Sequence, residues 1–322
     1  MGSPRSGTSW LAKIFDSHPN VLYRHEPDSV LRSHSIPSYC SELEQLDLEE
    51  QARDYIAHLL DVRVSKVVGS LPIFSKQFQS SPKRILHQSM TLSVKAFERV
   101  GPLSTFFRSL QIPDFLDLKT CHAQIVIKSI SAMGRLGLFL NALPKSKAIL
   151  IIRHPCGHVA SVLRGVQLEK FDSRIPITED VGVYEMLAGT DLASKYDLSL
   201  DRFMSMDPIL RLAWRWALFN ERVIEQGSFN DRLHILRYED LCDDATSIAK
   251  KLFQFSSLSW NPQTAKFVEN STRARGSEGF YQIYRNPIQS ATKWKSELSA
   301  DQIESVIEAV RYTRPGKLFF GA

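Results

Sequence analysis

The chain has 322 residues, 43% of them hydrophobic, enough to bury the core of one large α/β domain. With 40 basic against 35 acidic residues and a formal charge of +5 it suits anionic ligands, and the lack of any concentrated basic block argues against a dedicated nucleic-acid binder. No apolar run approaches the roughly 20 residues that span a bilayer, and Cys40, Cys121, Cys156 and Cys242 are too scattered for a zinc site or a disulfide framework.

The first stretch, Met1-Gly2-Ser3-Pro4-Arg5-Ser6-Gly7-Thr8-Ser9-Trp10, carries two glycines separated by four residues and followed by two hydroxyls. That is the spacing of a loop whose backbone N–H groups wrap an anion at a helix N-terminus. The lysine of a nucleoside-triphosphate loop is replaced by Thr8, and the loop's one cation is Arg5. Such a loop normally follows a buried strand; here nothing stands before Gly2 but Met1, so the expectation is that Met1 is the last residue of a strand otherwise missing. Trp10, Leu11, Ile14 and Phe15 recur at helical spacing, and Val21-Leu22-Tyr23 is expected as a strand that delivers Arg24-His25-Glu26-Pro27-Asp28 to its carboxyl end.

Residues 29–120 show little strand character and are expected as a helical insertion forming an acceptor wall. Gln124–Lys128 and Lys147–Arg153 are short, β-branched apolar runs typical of parallel strands, with a helix over Met133–Leu143 between them to complete a β–α–β unit. Arg153-His154-Pro155 opens the next helix, which contains Ser161. Residues 167–205, rich in Asp, Ser and Gly, are expected as a mobile excursion. Asp207-Pro208 opens a strong helix with Trp216 on its apolar face and Trp214 at a layer boundary or an interface; Leu233–Arg237 is a further strand ending on Tyr238-Glu239-Asp240. Helices follow at 245–255, 262–269 and 300–312, with the cations Arg273, Arg275, Arg285, Lys293 and Lys295 between the last two. The whole is expected as a single domain of P-loop-type, three-layer α/β fold with a central parallel sheet. A kinase would place an acid at the end of a buried strand to hold Mg²⁺, but the strand after the crossover ends on Arg153.

In these motifs the chain resembles the sulfotransferases that use 3′-phosphoadenosine 5′-phosphosulfate (PAPS), with Ser3–Trp10 similar to their 5′-phosphosulfate loop, Arg153…Ser161 to their 3′-phosphate motif, and Arg237–Leu241 to a further block. Asp16-Ser17-His18-Pro19-Asn20-Val21 and Glu26-Pro27 resemble the carbohydrate and protein-tyrosine branches and their bacterial relatives. The resemblance implies that Arg5, Ser6, Gly7, Thr8, Ser9 and Trp10 bind the donor's 5′ end, that Arg153 and Ser161 grip its 3′-phosphate, and that Tyr238 and Lys293 lie beside the nucleotide. Arg5 would also offset charge on the leaving oxygen, and the product would be 3′-phosphoadenosine 5′-phosphate (PAP), with no metal needed. Lys128-Ser129-Ile130 lacks the histidine base of the cytosolic branch, so Glu26 is the expected general base, with His25 as the fallback. The implied acceptor is an alcohol, a small molecule or glycan, with a carbohydrate hydroxyl favoured. A P-loop small-molecule kinase and an inactive nucleotide-binding protein stay open as alternatives. The chain as written is expected to be soluble and cytoplasmic if complete, or in a Golgi-type lumen if an anchor was lost upstream.

Overall fold

The computed structural model describes residues 1–33, 35–98, 104–117, 122–168, 177–227, 231–273 and 286–321. The glycine loop feeds α1 (Thr8–Asp16), whose Trp10, Leu11, Ile14 and Phe15 are all buried. Then come β1 (Val21–His25), a single 3₁₀ turn at Pro27–Ser29, and the helices α2 (Glu42–Asp61), α3 (Ser65–Val68), α4 (Ser81–Phe97) and α5 (Ser104–Ser109) of the expected insertion. β2 (Gln124–Lys128), α6 (Leu136–Ala142) and β3 (Ala148–Ile152) follow, and Pro155 opens α7 (Pro155–Gln167).

The strands pair in parallel as β1–β2, with Val21 opposite Gln124 and His25 opposite Lys128, and as β3–β4, where β4 is Leu233–Arg237. The expected β–α–β unit therefore differs in one respect: β2 and β3 are consecutive but not hydrogen-bonded to each other. The edge of β3 that carries Ile149 and Ile151 is engaged by Met1, whose amino group donates to Ile149 O (2.6 Å) and whose carbonyl accepts from Ile151 N (2.9 Å).

Alternation along β3 shows the three layers. Leu150 and Ile152 pack with Val159 and Val162 of α7, Leu212 and Trp216 of the long helix Pro208–Gly227, and Val306 and Val310 near the C-terminus. Ile151 packs on the opposite side with α1 and the helices that follow β4. Burial on both faces is what a continuous apolar strand requires.

The stretch expected as a mobile excursion is helical over much of its described part. It forms α8 (Val181–Ala188), α9 (Asp191–Lys195) and α10 (Leu200–Ser205), and Tyr184, Leu187, Leu192, Leu198 and Phe203 build a buried cluster of their own. The polar residues that read as loop are the helix caps: Thr190 Oγ1 accepts from Ala193 N and Ser199 Oγ from Arg202 N, both at 3.1 Å. After α11 (Pro208–Gly227) and β4 come α12 (Tyr238–Asp243), α13 (Ala245–Phe255), α14 (Pro262–Arg273), α15 (Pro287–Thr292), α16 (Trp294–Glu297), α17 (Ala300–Val310) and α18 (Arg314–Phe320). Trp216 is core, and Trp214 joins two clusters, as a residue at a layer boundary should.

At the far end of α1 a buried charge cluster fastens the insertion to the sheet. Lys13 Nζ donates to Asp16 Oδ2 (2.6 Å) and to the carbonyls of Ser70 and Pro72, while Lys76 Nζ reaches Asp16 Oδ1 (2.9 Å). Arg24 on β1 makes a two-pronged bond to Asp114 of the same insertion.

Candidate active site

Arg5 (φ 72°) and Gly7 (φ 87°) are both left-handed, which turns the loop into a concave row of amides. The Gly7 carbonyl accepts from the N–H of Trp10 and of Leu11 (both 3.1 Å), so the Thr8 and Ser9 N–H groups precede the helical ladder and stand at the positive end of α1. Two glycines are required by close approach. A Cβ on Gly2 would lie 2.4 Å from Ile151 O, and one on Gly7 would lie 2.3 Å from Cδ2 of the buried Tyr238 ring. Ser6 Oγ is buried with no hydrogen-bond partner among the described residues.

The carboxyl end of β3 brings the second cationic element to this loop. Arg5 Nε donates to Ser161 Oγ (3.2 Å) and Arg153 Nη1 donates to Arg5 O (3.2 Å). The Arg153 guanidinium lies over the Tyr238 ring, 5.0 Å from its centre. Its turn is held from several directions. Trp216 Nε1 donates to Arg153 O (3.1 Å), and His154 N donates to Glu239 Oε1 (3.0 Å). The His154 ring stacks on Trp294 at 4.5 Å and meets Phe319 and Phe320 edge-on, each at 5.4 Å. His158, one turn further along α7, hydrogen-bonds the Pro4 backbone; burial, with Arg153, Arg215 and Arg5 nearby, lowers its pKa to about 3 and keeps it neutral.

The β1–β2 pair supplies the third element. Glu26 is left-handed (φ 48°), and its N–H continues the ladder to Lys128 O at 2.8 Å. Its Oε1 is ion-paired with Lys128 Nζ, and His25 Nε2 lies 4.0 Å away. Burial, reinforced by the Arg5 guanidinium, lowers the Lys128 pKa to about 7. His25 is held neutral, its pKa lowered to about 3 by burial first and Lys128 second, and its Nδ1 is engaged by Tyr23 Oη at 2.7 Å. Beneath them Ser129 Oγ donates to the buried Asp28 carboxylate and accepts from Ser131 N and Ala132 N, which shapes the turn after β2.

Arg5, Ser6, Gly7, Thr8, Arg153, Ser161 and Tyr238 are thus brought together, with Ser9 exposed at the loop's rim and Glu26 and His25 on the neighbouring strand end. Two expected residues sit differently. Trp10 packs in the core: its Nε1 donates to Ser271 Oγ of α14 (3.0 Å) and its backbone N–H to Gly7 O. Lys293 is half exposed and pairs with Glu297 (3.5 Å), which in turn pairs with Arg164, whose Nη2 is 3.4 Å from Ser161 Oγ. Arg275 and Arg285 lie outside the described residues. Sequence reading missed Lys128 as a partner of Glu26, although an isolated lysine closing the apolar run QIVIK was a visible signal.

The site is thus a glycine loop at a helix N-terminus in an α/β protein, with Arg153 and Lys128 at the neighbouring strand ends and the Glu26 carboxylate paired to Lys128. A model of the sulfotransferase family matches residues 1–262, and the chain belongs to that family. It is similar to mouse carbohydrate sulfotransferase 5, 21% identical over 96% of this chain and 76% of that protein, and to human carbohydrate sulfotransferase 6, 22% identical over the same shares. Among solved structures it is similar to the sulfotransferase domain of the Synechococcus PCC 7002 olefin synthase, with 15% identity, a TM-score of 0.44, and coverage of 95% of this chain and 90% of that one.

Proposed function

We propose that the protein transfers the sulfuryl group of PAPS to a carbohydrate hydroxyl. The observation that carries this reading is the Arg5–Ser161 hydrogen bond, which puts the glycine loop and the Arg153 turn within reach of a single ligand with anions at two ends. The residues fit such a donor: the loop offers an outward amide row and the unpartnered Ser6 hydroxyl, and Cβ-free Gly7 lets Tyr238 close against it. Amides near Gly7, Thr8 and Ser9 would hold its 5′-phosphate, and Arg153 with Ser161 its 3′-phosphate. When bound, the donor supplies the electrophilic sulfur.

The chain's own residues do the rest. Glu26 would take the acceptor hydroxyl's proton at its carboxylate, and Arg5 and Lys128 would offset the negative charge that develops as the sulfuryl group is transferred. Neutral His25 orients through Tyr23 rather than acting as the base. The similarity to two carbohydrate sulfotransferases favours a carbohydrate acceptor. The kinase alternative asks for an acid where β2 ends on Lys128 and where Arg153 follows β3.

Turnover with radiolabelled donor against a panel of sugars, aliphatic alcohols and phenols tests the reading; transfer to none of them, or transfer of phosphate from ATP, would overturn it. Arg5→Ala should lower kcat by roughly 10²-fold or more while PAP still binds, and an unchanged kcat would remove Arg5 from the chemistry. Gly7→Ala adds a methyl at a left-handed residue and against a buried ring. It should weaken PAP binding by at least about tenfold, some 1.4 kcal/mol, by calorimetry; an unaltered isotherm would show that the cradle is not used.

A further inference from the structure

The insertion carries a surface that the transfer reaction does not use. At 3.6 residues per turn, Ile85, Leu92 and Ala96 of α4 fall within about 40° of one another, and Leu86 and Phe97 continue the same arc. This arc is turned to solvent: Ile85 is 60%, Leu92 51% and Phe97 52% exposed, while His87, Thr91 and Val94 on the opposite side are buried. The neighbouring α5 extends the patch through Phe106, 59% exposed, with Phe107 stacked on Phe97 at 4.9 Å. α4 packs a narrow face of His87, Thr91 and Val94 inward and shows large aliphatic and aromatic side chains outward, and that apolar arc is left uncovered by the described residues.

Charge identifies the occupant. Apart from the buried His87, the ionisable side chains on α4 and α5 are the half-buried Lys83, Arg84 and Lys95 and the exposed Arg108, all cationic, with Lys83 Nζ donating to Leu116 O (3.2 Å) and no acid on either helix. The first acid after α4, Glu98, is bonded to Ser65 Oγ. A second copy of the chain meeting this face across a two-fold axis would set these cations against their own kind. We infer that α4 and α5 form a docking face for an anionic lipid surface, lying in its interface with Leu92, Phe97 and Phe106 in the acyl boundary and the basic groups among the headgroups. Among the described residues no helix is long and apolar enough to cross a membrane, so the contact is peripheral.

Sedimentation with phosphatidylcholine vesicles, with and without phosphatidylserine, tests this. The full chain should pellet with the anionic vesicles only, and added salt should release it. Leu92→Glu with Phe106→Glu replaces exposed side chains and should leave the melting temperature unchanged while abolishing pelleting. Lys83→Gln with Arg84→Gln should weaken it by roughly tenfold or more. Equal pelleting with neutral vesicles, no pelleting with either, or pelleting that survives the Leu92/Phe106 pair would overturn the inference. So would a wild-type dimer by light scattering that the same pair dissociates, since that result would assign the face to self-association.

Discussion

Glu26→Gln is expected to lower kcat by about 10²- to 10⁴-fold, the range that a positioned proton acceptor supplies, with PAP affinity held within a fewfold of wild type. Glutamine keeps the shape but loses the proton-accepting charge, and the proposed donor cradle consists of other residues. A small change in kcat would move the base assignment elsewhere. The partner makes a pH dependence follow. Burial and Arg5 depress Lys128 to about 7, so its ammonium is present below that pH and lost above it. If that charge serves the reaction, kcat should fall as pH rises through about 7. Lys128→Arg, whose guanidinium stays charged, should retain activity to higher pH, and a profile identical in the two proteins would deny Lys128 the role.

Asp16→Ala is expected to have the largest effect on stability, a loss of about 3–5 kcal/mol, because it strands the ammonium groups of Lys13 and Lys76 in a buried site with only carbonyls for company. Burial alone would raise the Asp16 pKa, but Lys76 and Lys13 outweigh it and the net shift is downward from 3.8. A depressed carboxylate stabilises the fold above its unfolded pKa and stops doing so in acid. The gap in melting temperature between wild type and Asp16→Ala should therefore be full at neutral pH and shrink below about pH 4. Coincident melting curves at neutral pH would show that the cluster does not hold the insertion to α1.

Much of this was legible in the linear chain, and the exceptions share a cause. The loop, the four strands and the Arg153 turn are local patterns: glycine spacing, β-branched runs and a helix-opening proline. The Glu26–Lys128 pair is not local, because it depends on the register that sets His25 opposite Lys128 across two strands far apart in sequence. Trp10 adjoins the loop in sequence, yet its helical phase turns it toward Ser271 of α14. The helices at 181–205 were hidden because capping Thr, Ser and Asp side chains have the composition of a loop. The absent β2–β3 ladder could not be read from either strand, since the edge of β3 beyond β4 is taken up by Met1.

The stacking of His154 against Trp294, Phe319 and Phe320 ties the end of the chain to its chemistry. The guanidinium of Arg153 is aimed by the turn that His154 continues, and that turn rests on α16 and α18 as an arch rests on its abutments. By reciprocity, an anion that fixed Arg153 in the proposed donor site would also steady α18, and a change at Phe319 would reach that site.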